Sequence, residues 1–299
     1  MSHPWRAADD YELAKLPFTL FFVAGTGSEW DVDERPLPSS ITWIPDARAV
    51  SSDVLLLQLD ARSPLVPAER ARLERLRDSY DGRVIALEHG APGPHTASPD
   101  ELRALLGDAL LVCESLDASV AWGARRASTI VPGASVDEWT QTDFANHEVL
   151  CTLPASIPPS RGPEASLMER ARARVPLVAL GRDASRGSFA KYRRTLRSGS
   201  IFFHASHHVP APRARMEAML SGLAIVTTAA HGAGELIENG VTGFASDDDD
   251  ELLAQLERLA RDPALARAIG RAGRAVAREA FSIDRVADEW LALLARAVG

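Results

Sequence analysis

The chain has 299 residues, 46% hydrophobic and 25% charged, with a net charge of −8 and 2 cysteines. That length holds about two domains of ordinary size, and the composition is that of a globular protein, not of a disordered or disulfide-stapled one. The residues before Val149 carry 13 basic and 24 acidic side chains and the remainder 20 and 17, so the acidic first half argues against nucleic acid or an anionic membrane as partner.

No apolar run approaches the ~20 residues that span a bilayer. The start, MSHPWRAADDYELAKL, lacks the basic-then-apolar order of a secretory signal. A cytoplasmic protein without a transmembrane segment is expected. Cys113 and Cys151 each sit in an apolar run, which predicts buried free thiols.

In chain order, FTLFFVA, SITWIP, DVLLLQLD, RVIALEHG, ALLVCES and STIVPG read as short buried strands, and PAERARLERLRDSY and SPDELRALLGD as helices. Alternation of this kind makes a parallel sheet covered by helices. SVDEWTQTDFANHE loses the pattern and reads as a linker near residues 134–148. The alternation resumes in VLCTLPA, PLVALGR, SIFFHAS and LAIVTT, and the tail from Asp247 to Val298 reads as almost wholly helical, its DDDD suiting a helix N-terminus. The expected architecture is therefore α/β with two Rossmann-like domains, residues 1–140 and 141–299, facing across a cleft that holds the ligand.

Several motifs are weak. GTGSEW begins like a dinucleotide fingerprint but lacks its third glycine, and Asp31–Val32–Asp33 stands alone in a proline-rich loop. His204, His207 and His208 lack a spaced carboxylate or cysteine to complete a metal site. Glu217, in ARMEAMLSGLAIVTT, reads as opening the helix after SIFFHAS. Its carboxylate either accepts hydrogen bonds from hydroxyls, such as the two of a ribose, or complements the helix dipole.

From Arg213 onward the chain resembles the nucleotide-binding domain of family 4 glycosyltransferases of the B-type fold. The motifs are EAMLSGLAIVTT, HGAGELIENGVTGF, LARDPALARAIG and FSIDRVADEWLALL, about the last third of the chain, and STIVPGASVDEW is similar to the family's segment at the domain junction. The resemblance implies transfer of a sugar from a nucleotide diphosphate donor to an acceptor hydroxyl, with retention and without a cofactor or required metal. It gives Glu217 the ribose. Arg213, Arg215 and Arg182 become the basic groups for the departing diphosphate, and Gly232 and Glu235 in the glycine-containing turn join the substrate-binding set. It also implies that the last helix crosses back to the first, acceptor-side domain, where Val286, Trp290 and Leu293 form an apolar stripe. The implied partners are a nucleotide sugar and a carbohydrate, glycolipid or small-molecule acceptor.

The chain departs from the family in three places. Val209 stands where the first glutamate is usual, eight residues before Glu217; VLCTLPASIPPSRG offers Arg161 in place of the basic pair; and AGTGSEWDVDERP replaces the N-terminal Gly-Gly loop. His207 and His208, beside Val209, are the expected substitutes for its sugar hydrogen bonds, and His89 in EHGAPGP is the expected acceptor-side base. The alternatives are a catalytically retired relative that binds a nucleotide sugar or a partner protein, and an epimerase or hydrolase on the same fold.

Overall fold

The computed structural model describes residues 1–27, 29–93, 95–124, 127–152, 163–180, 188–206, 212–229, 232 and 235–298. They form two compact units: Met1–Gly133 with Ile283–Gly299, and the described residues from Ala134 to Ser282.

In the first unit β1 (Leu20–Val23) pairs parallel with β2 (Ile41–Ile44), and β3 (Val54–Leu59), β4 (Arg83–Glu88), β5 (Leu110–Cys113) and β6 (Ser128–Thr129) form a second parallel set in that order. Ser2 joins the two sets. Its N–H donates to the Phe21 carbonyl at 2.8 Å, Val23 N–H donates to the Ser2 carbonyl at 3.0 Å, and Leu56 N–H donates to the Met1 carbonyl at 2.8 Å. Every residue of β3 is buried, as a strand covered on both faces requires.

Strand alternation sorts the side chains of this unit into two cores. Val23, Ile44, Leu55, Leu57 and Leu59 pack with Leu73 and Leu76 of α2 (Pro67–Asp78). Phe22, Leu56, Ile85 and Val112 pack with Leu13 of α1 (Ala7–Leu13) and with Val286, Trp290 and Leu293 of the last helix, Ile283–Val298. α3 (Pro99–Leu106) starts in a capping box, Ser98 with Glu101, and α4 (Leu116–Ala121) is capped by Ser115. Neither α1 nor α4 carries a long enough period to stand out in the sequence.

The second unit is a five-stranded parallel sheet built from β7 (Val149–Thr152), β8 (Leu177–Leu180), β9 (Ile201–His204), β10 (Ala224–Thr228) and β11 (Phe244–Ser246), in the order β11-β10-β9-β7-β8. The strand order reverses between β7 and β9, and in such sheets the crevice at the carboxyl ends beside the reversal is where ligands bind. Its helices are α5 (Pro163–Arg172), α6 (Phe189–Ser198), α7 (Arg213–Leu220), α8 (Asp249–Arg261) and α9 (Pro263–Ala280); the last helix of the chain is α10.

The acidic run acts as expected: Asp248 caps α8, accepting from the N–H groups of Asp250 and Glu251, and Arg170 pairs with Asp249 at 2.9 Å. The segment from Ser135 to Glu148, read as a linker, is packed in the second unit. Trp139 is 1% exposed, and Thr142 N–H donates to the Ser221 carbonyl at 2.7 Å. Its irregularity hid this, because aromatic anchoring of a loop has no period. Cys113 and Cys151 are buried free thiols, and burial raises their pKa values to about 12 and about 11.

α9 lies directly on the turn between α7 and β10. A side chain at Gly270 would meet the Gly222 carbonyl oxygen at 2.1 Å, so only glycine permits the approach, and Gly222 itself turns with φ +83°. From α9, Arg274 donates to the Leu220 carbonyl at 2.7 Å and to the Trp139 carbonyl at 3.1 Å. The first of these satisfies a carbonyl at the end of α7.

Candidate functional site

The helix carrying Glu217 begins at Arg213, so the acid lies in its second turn and does not open it. The helix is closed at its start by the Pro212 carbonyl, which accepts from the N–H groups of Arg215 at 3.0 Å and Met216 at 3.2 Å, so the N–H groups of Arg213 and Ala214 are the ones at its N-terminal end. Glu217 is 1% exposed and accepts a hydrogen bond from the Tyr192 hydroxyl of α6 at 2.6 Å. Tyr192 and Phe189, one helical turn apart, both meet the Trp139 ring edge-on, with centroids 6.3 and 5.9 Å away. Trp139 thus orders α6, and α6 orders the carboxylate.

His204 ends β9 beside the strand-order reversal. Its ring is 7% exposed and lies parallel to that of Phe202, and Nδ1 has no hydrogen-bond partner among the described residues. Burial and the neighbouring Arg215 lower its pKa to about 3, so the ring is neutral at pH 7. Desolvation lowers Arg215 to about 10, which leaves that guanidinium charged. A neutral imidazole, a desolvated cation and helix N–H groups together favour an anion.

Gly232 is buried with φ +100°, a conformation that favours glycine, and Glu235 is exposed. The following ENGVTGF is fold-making. Ala245 N–H donates to Asn239 Oδ1 at 2.7 Å, Asn239 Nδ2 donates back to the Ala245 carbonyl at 3.0 Å, and Glu238 N–H donates to Thr242 Oγ1 at 2.8 Å. These bonds close the turn into β11. Arg182, His207, His208 and Val209 lie outside the described residues.

His89 follows β4 in the first unit. The sequence reading placed this imidazole in a cleft-facing turn as a base; here it is 5% exposed and both ring nitrogens are engaged. Nδ1 meets Glu114 Oε1 at 2.8 Å, Nε2 meets Gln58 Oε1 at 3.3 Å, and the ring stacks on Trp5 with centroids 5.6 Å apart. Burial alone lowers the pKa of such a ring, but the charge and hydrogen bond of Glu114 outweigh it and the pKa is raised. Gln58 passes the network on: its Nε2 donates to Asp10 Oδ1 at 2.7 Å, and its N–H donates to Nε2 of a neutral His3.

Burial raises the Asp10 pKa to about 7. An acid whose folded pKa lies above its unfolded value contributes stability that is complete below about 3.9 and is lost as pH rises through the folded value. We expect Asp10→Asn to lose less stability between pH 5 and pH 8 than the parent does, measured as urea midpoints. Equal losses would show that Asp10 does not titrate in this window.

Among the described residues no three His, Cys, Asp or Glu side chains are grouped to hold a metal ion, and no helix is long and apolar enough to cross a membrane. Each of the two units carries a parallel sheet, and the solved structures to which the chain is similar have the B-type glycosyltransferase fold. Residues 166–292 match the family model described as glycosyl transferase-like. In structure the chain is similar to Anabaena HepE in complex with UDP-glucose (18% identity, TM-score 0.64, covering 82% of this chain and 79% of that one). It is also similar to sucrose-phosphate synthase from Thermosynechococcus elongatus (15%, 0.64, covering 97% and 91%) and to S. aureus TarM (12%, 0.64, covering 81% and 55%). No curated protein sequence matches the chain.

Tyr192, Trp139, Glu114 and Gln58 escaped sequence reasoning. Phe189 and Tyr192 at i and i+3 on a basic helix were the available signal for the first two. Glu114 and Gln58 each sit in or beside an apolar strand, where a lone polar residue is the signal of a buried partner.

Proposed function

We propose that the chain transfers a sugar from a nucleoside diphosphate donor to an acceptor hydroxyl, with retention at the anomeric carbon and without a required metal or cofactor. The observation that carries this reading is the buried Glu217 carboxylate on the helix whose N-terminus, with Arg213 and Arg215, follows β9 at the strand-order reversal. The complexes of HepE with UDP and with UDP-glucose support a uridine donor.

In this reading Glu217 accepts the two ribose hydroxyls. The first N–H groups of α7, with Arg213, Arg215 and Arg182, receive the charge that develops on the departing diphosphate. Gly232 lets the backbone approach the donor, with Glu235 beside it. His207 and His208 hold the sugar hydroxyls in place of the carboxylate missing at Val209. His89, oriented by Glu114, is the group of the acceptor side.

Val209 favours a second reading, a retired transferase that keeps nucleotide binding alone. An epimerase or hydrolase would use the same donor site. A thermal-shift series with UDP and UDP-glucose tests the shared part: at a hundred times its dissociation constant a ligand adds ~2.7 kcal/mol of stability. Absence of any shift with either compound sinks the uridine reading. Release of UDP only with an added acceptor supports transfer, release without one supports hydrolysis, and no release from a donor that binds supports the retired form.

A further inference from the structure

The first unit holds a concavity that the nucleotide reading does not use. β1 and β2 send Leu20, Phe22 and Ile41 to the core under α10, and Val23 and Ile44 to the core under α2. The segment joining these strands contains no helix among its described residues. Its Trp30 packs with the α10 core, the indole N–H donating to the Arg35 carbonyl at 2.9 Å. The α2 side of β1 and β2 therefore lacks the crossover helix that normally covers a parallel pair. A concavity of about 680 Å³ stands in its place, within the range of small-molecule sites.

Val23, Ala47 and Leu76 give it an apolar floor, and its charged lining is Arg48, Arg72 and Arg75 against Asp46. This excess of positive charge lies in a half of the chain with 13 basic and 24 acidic residues. Arg72 is committed to the protein, donating to the Thr26 carbonyl and pairing with Glu69 at 3.5 Å. The Arg48 and Arg75 side chains make no hydrogen bond or ion pair with a described residue, whereas Arg6, Arg70, Arg77 and Arg103 of the same unit are each paired with a carboxylate. Asp46 already accepts from Arg48 N–H through Oδ1 at 2.8 Å. The positive charge of Arg75 also falls on Arg72, adding to the desolvation that lowers its pKa. An anion between the two would relieve that repulsion.

We propose that this concavity binds a small ligand through a phosphoryl group, held by Arg48 and Arg75 over the floor of Val23, Ala47 and Leu76. Guanidinium forks match phosphate oxygens in geometry, and a phosphate monoester carries a charge of about −1.5 to −2 at pH 7, which suits Arg48 and Arg75. The apolar floor leaves room for an organic body attached to the phosphate. The site lies wholly within the first unit and does not depend on the assignment of Glu217.

Calorimetry on the full chain tests this with inorganic phosphate, ribose 5-phosphate and ribose. Saturable binding of the two phosphates and none of ribose is expected. Arg48→Gln with Arg75→Gln should weaken ribose 5-phosphate at least tenfold, since each charge-assisted pair removed is worth about that factor or more. Ala49→Trp, which fills the concavity without touching a charge, should weaken it as well. Glu217→Ala should leave phosphate binding unchanged, so loss of the nucleotide site and loss of this one are distinguishable. Equal binding by the double variant, an effect reproduced by sodium chloride at matched ionic strength, or citrate binding as tightly as ribose 5-phosphate would each overturn the proposal.

Discussion

Replacing Trp290 by alanine costs the first unit about 3–5 kcal/mol, the usual range for deleting a large buried aromatic side chain. Trp290 is 4% exposed and shares one core with Phe22, Leu56 and Ile85 of the sheet and with Val286 and Leu293 of its own helix. The helix has few other holds on the unit: Arg285 donates to the Val131 carbonyl at 2.8 Å, and Arg83 donates to the Ala297 carbonyl at 3.0 Å. Neither bond replaces an aromatic core residue, since a hydrogen bond contributes about 1 kcal/mol net. A loss of this size is a large fraction of the ~5–15 kcal/mol that ordinary domains have. Leu291→Ala, at a position 43% exposed on the same helix, serves as the control and should change stability by less than about 0.5 kcal/mol. Urea unfolding decides it: a Trp290→Ala midpoint close to that of Leu291→Ala would show that α10 is dispensable to this core.

Most of the strands could be read from the sequence because they are buried on both faces and so appear as continuous apolar runs: DVLLLQLD is β3 and LAIVTT is β10, each within a residue or two. The final helices could be read because their caps are local. Asp248 and Asp262 each accept from N–H groups within three residues, and Pro263 follows the second cap. What escaped was non-local. Ser2 completes the first sheet by pairing with Phe22 and Leu56, and no pattern of three residues announces a strand. Tyr192 reaches Glu217 across 25 positions. The burial of His89 also escaped, because EHGAPGP looks like an open turn; the partners that bury it, Glu114, Gln58 and Trp5, come from three separate segments.

The resemblance and the geometry contribute different parts of the site. ENGVTGF, its densest motif, is accounted for by the Asn239 and Thr242 hydrogen bonds that shape the turn, so agreement there speaks for the fold more than for chemistry. Glu217 is different. A carboxylate 1% exposed, in a helix whose neighbouring residues Met216, Ala218 and Met219 are all buried, is held by the Tyr192 hydroxyl and adds nothing to the apolar packing around it. Buried charges are costly unless they are paired or used.

Glu217→Ala is therefore expected to weaken UDP binding by roughly 2–3 kcal/mol, about 30- to 150-fold, because hydrogen bonds from the ribose hydroxyls to a charged acceptor are each worth about 1.5–3 kcal/mol. Folding should survive. The substitution removes the desolvation cost of the carboxylate as well as its bond from Tyr192, whose hydroxyl is on a part-buried side chain that can turn to water. Glu217→Gln separates charge from shape: the amide still offers one acceptor oxygen and should recover part of the loss but not all of it. If ribose is what the carboxylate holds, the penalty should be smaller for 2′-deoxy-UDP, which has already lost one of the two hydroxyls. Calorimetry of UDP and 2′-deoxy-UDP on the parent and both variants gives all of these values. An Ala variant that binds UDP as the parent does would reduce Glu217 to a partner of Tyr192. A loss equal for the two nucleotides would keep the acid in the site but remove the 2′-hydroxyl from its grasp.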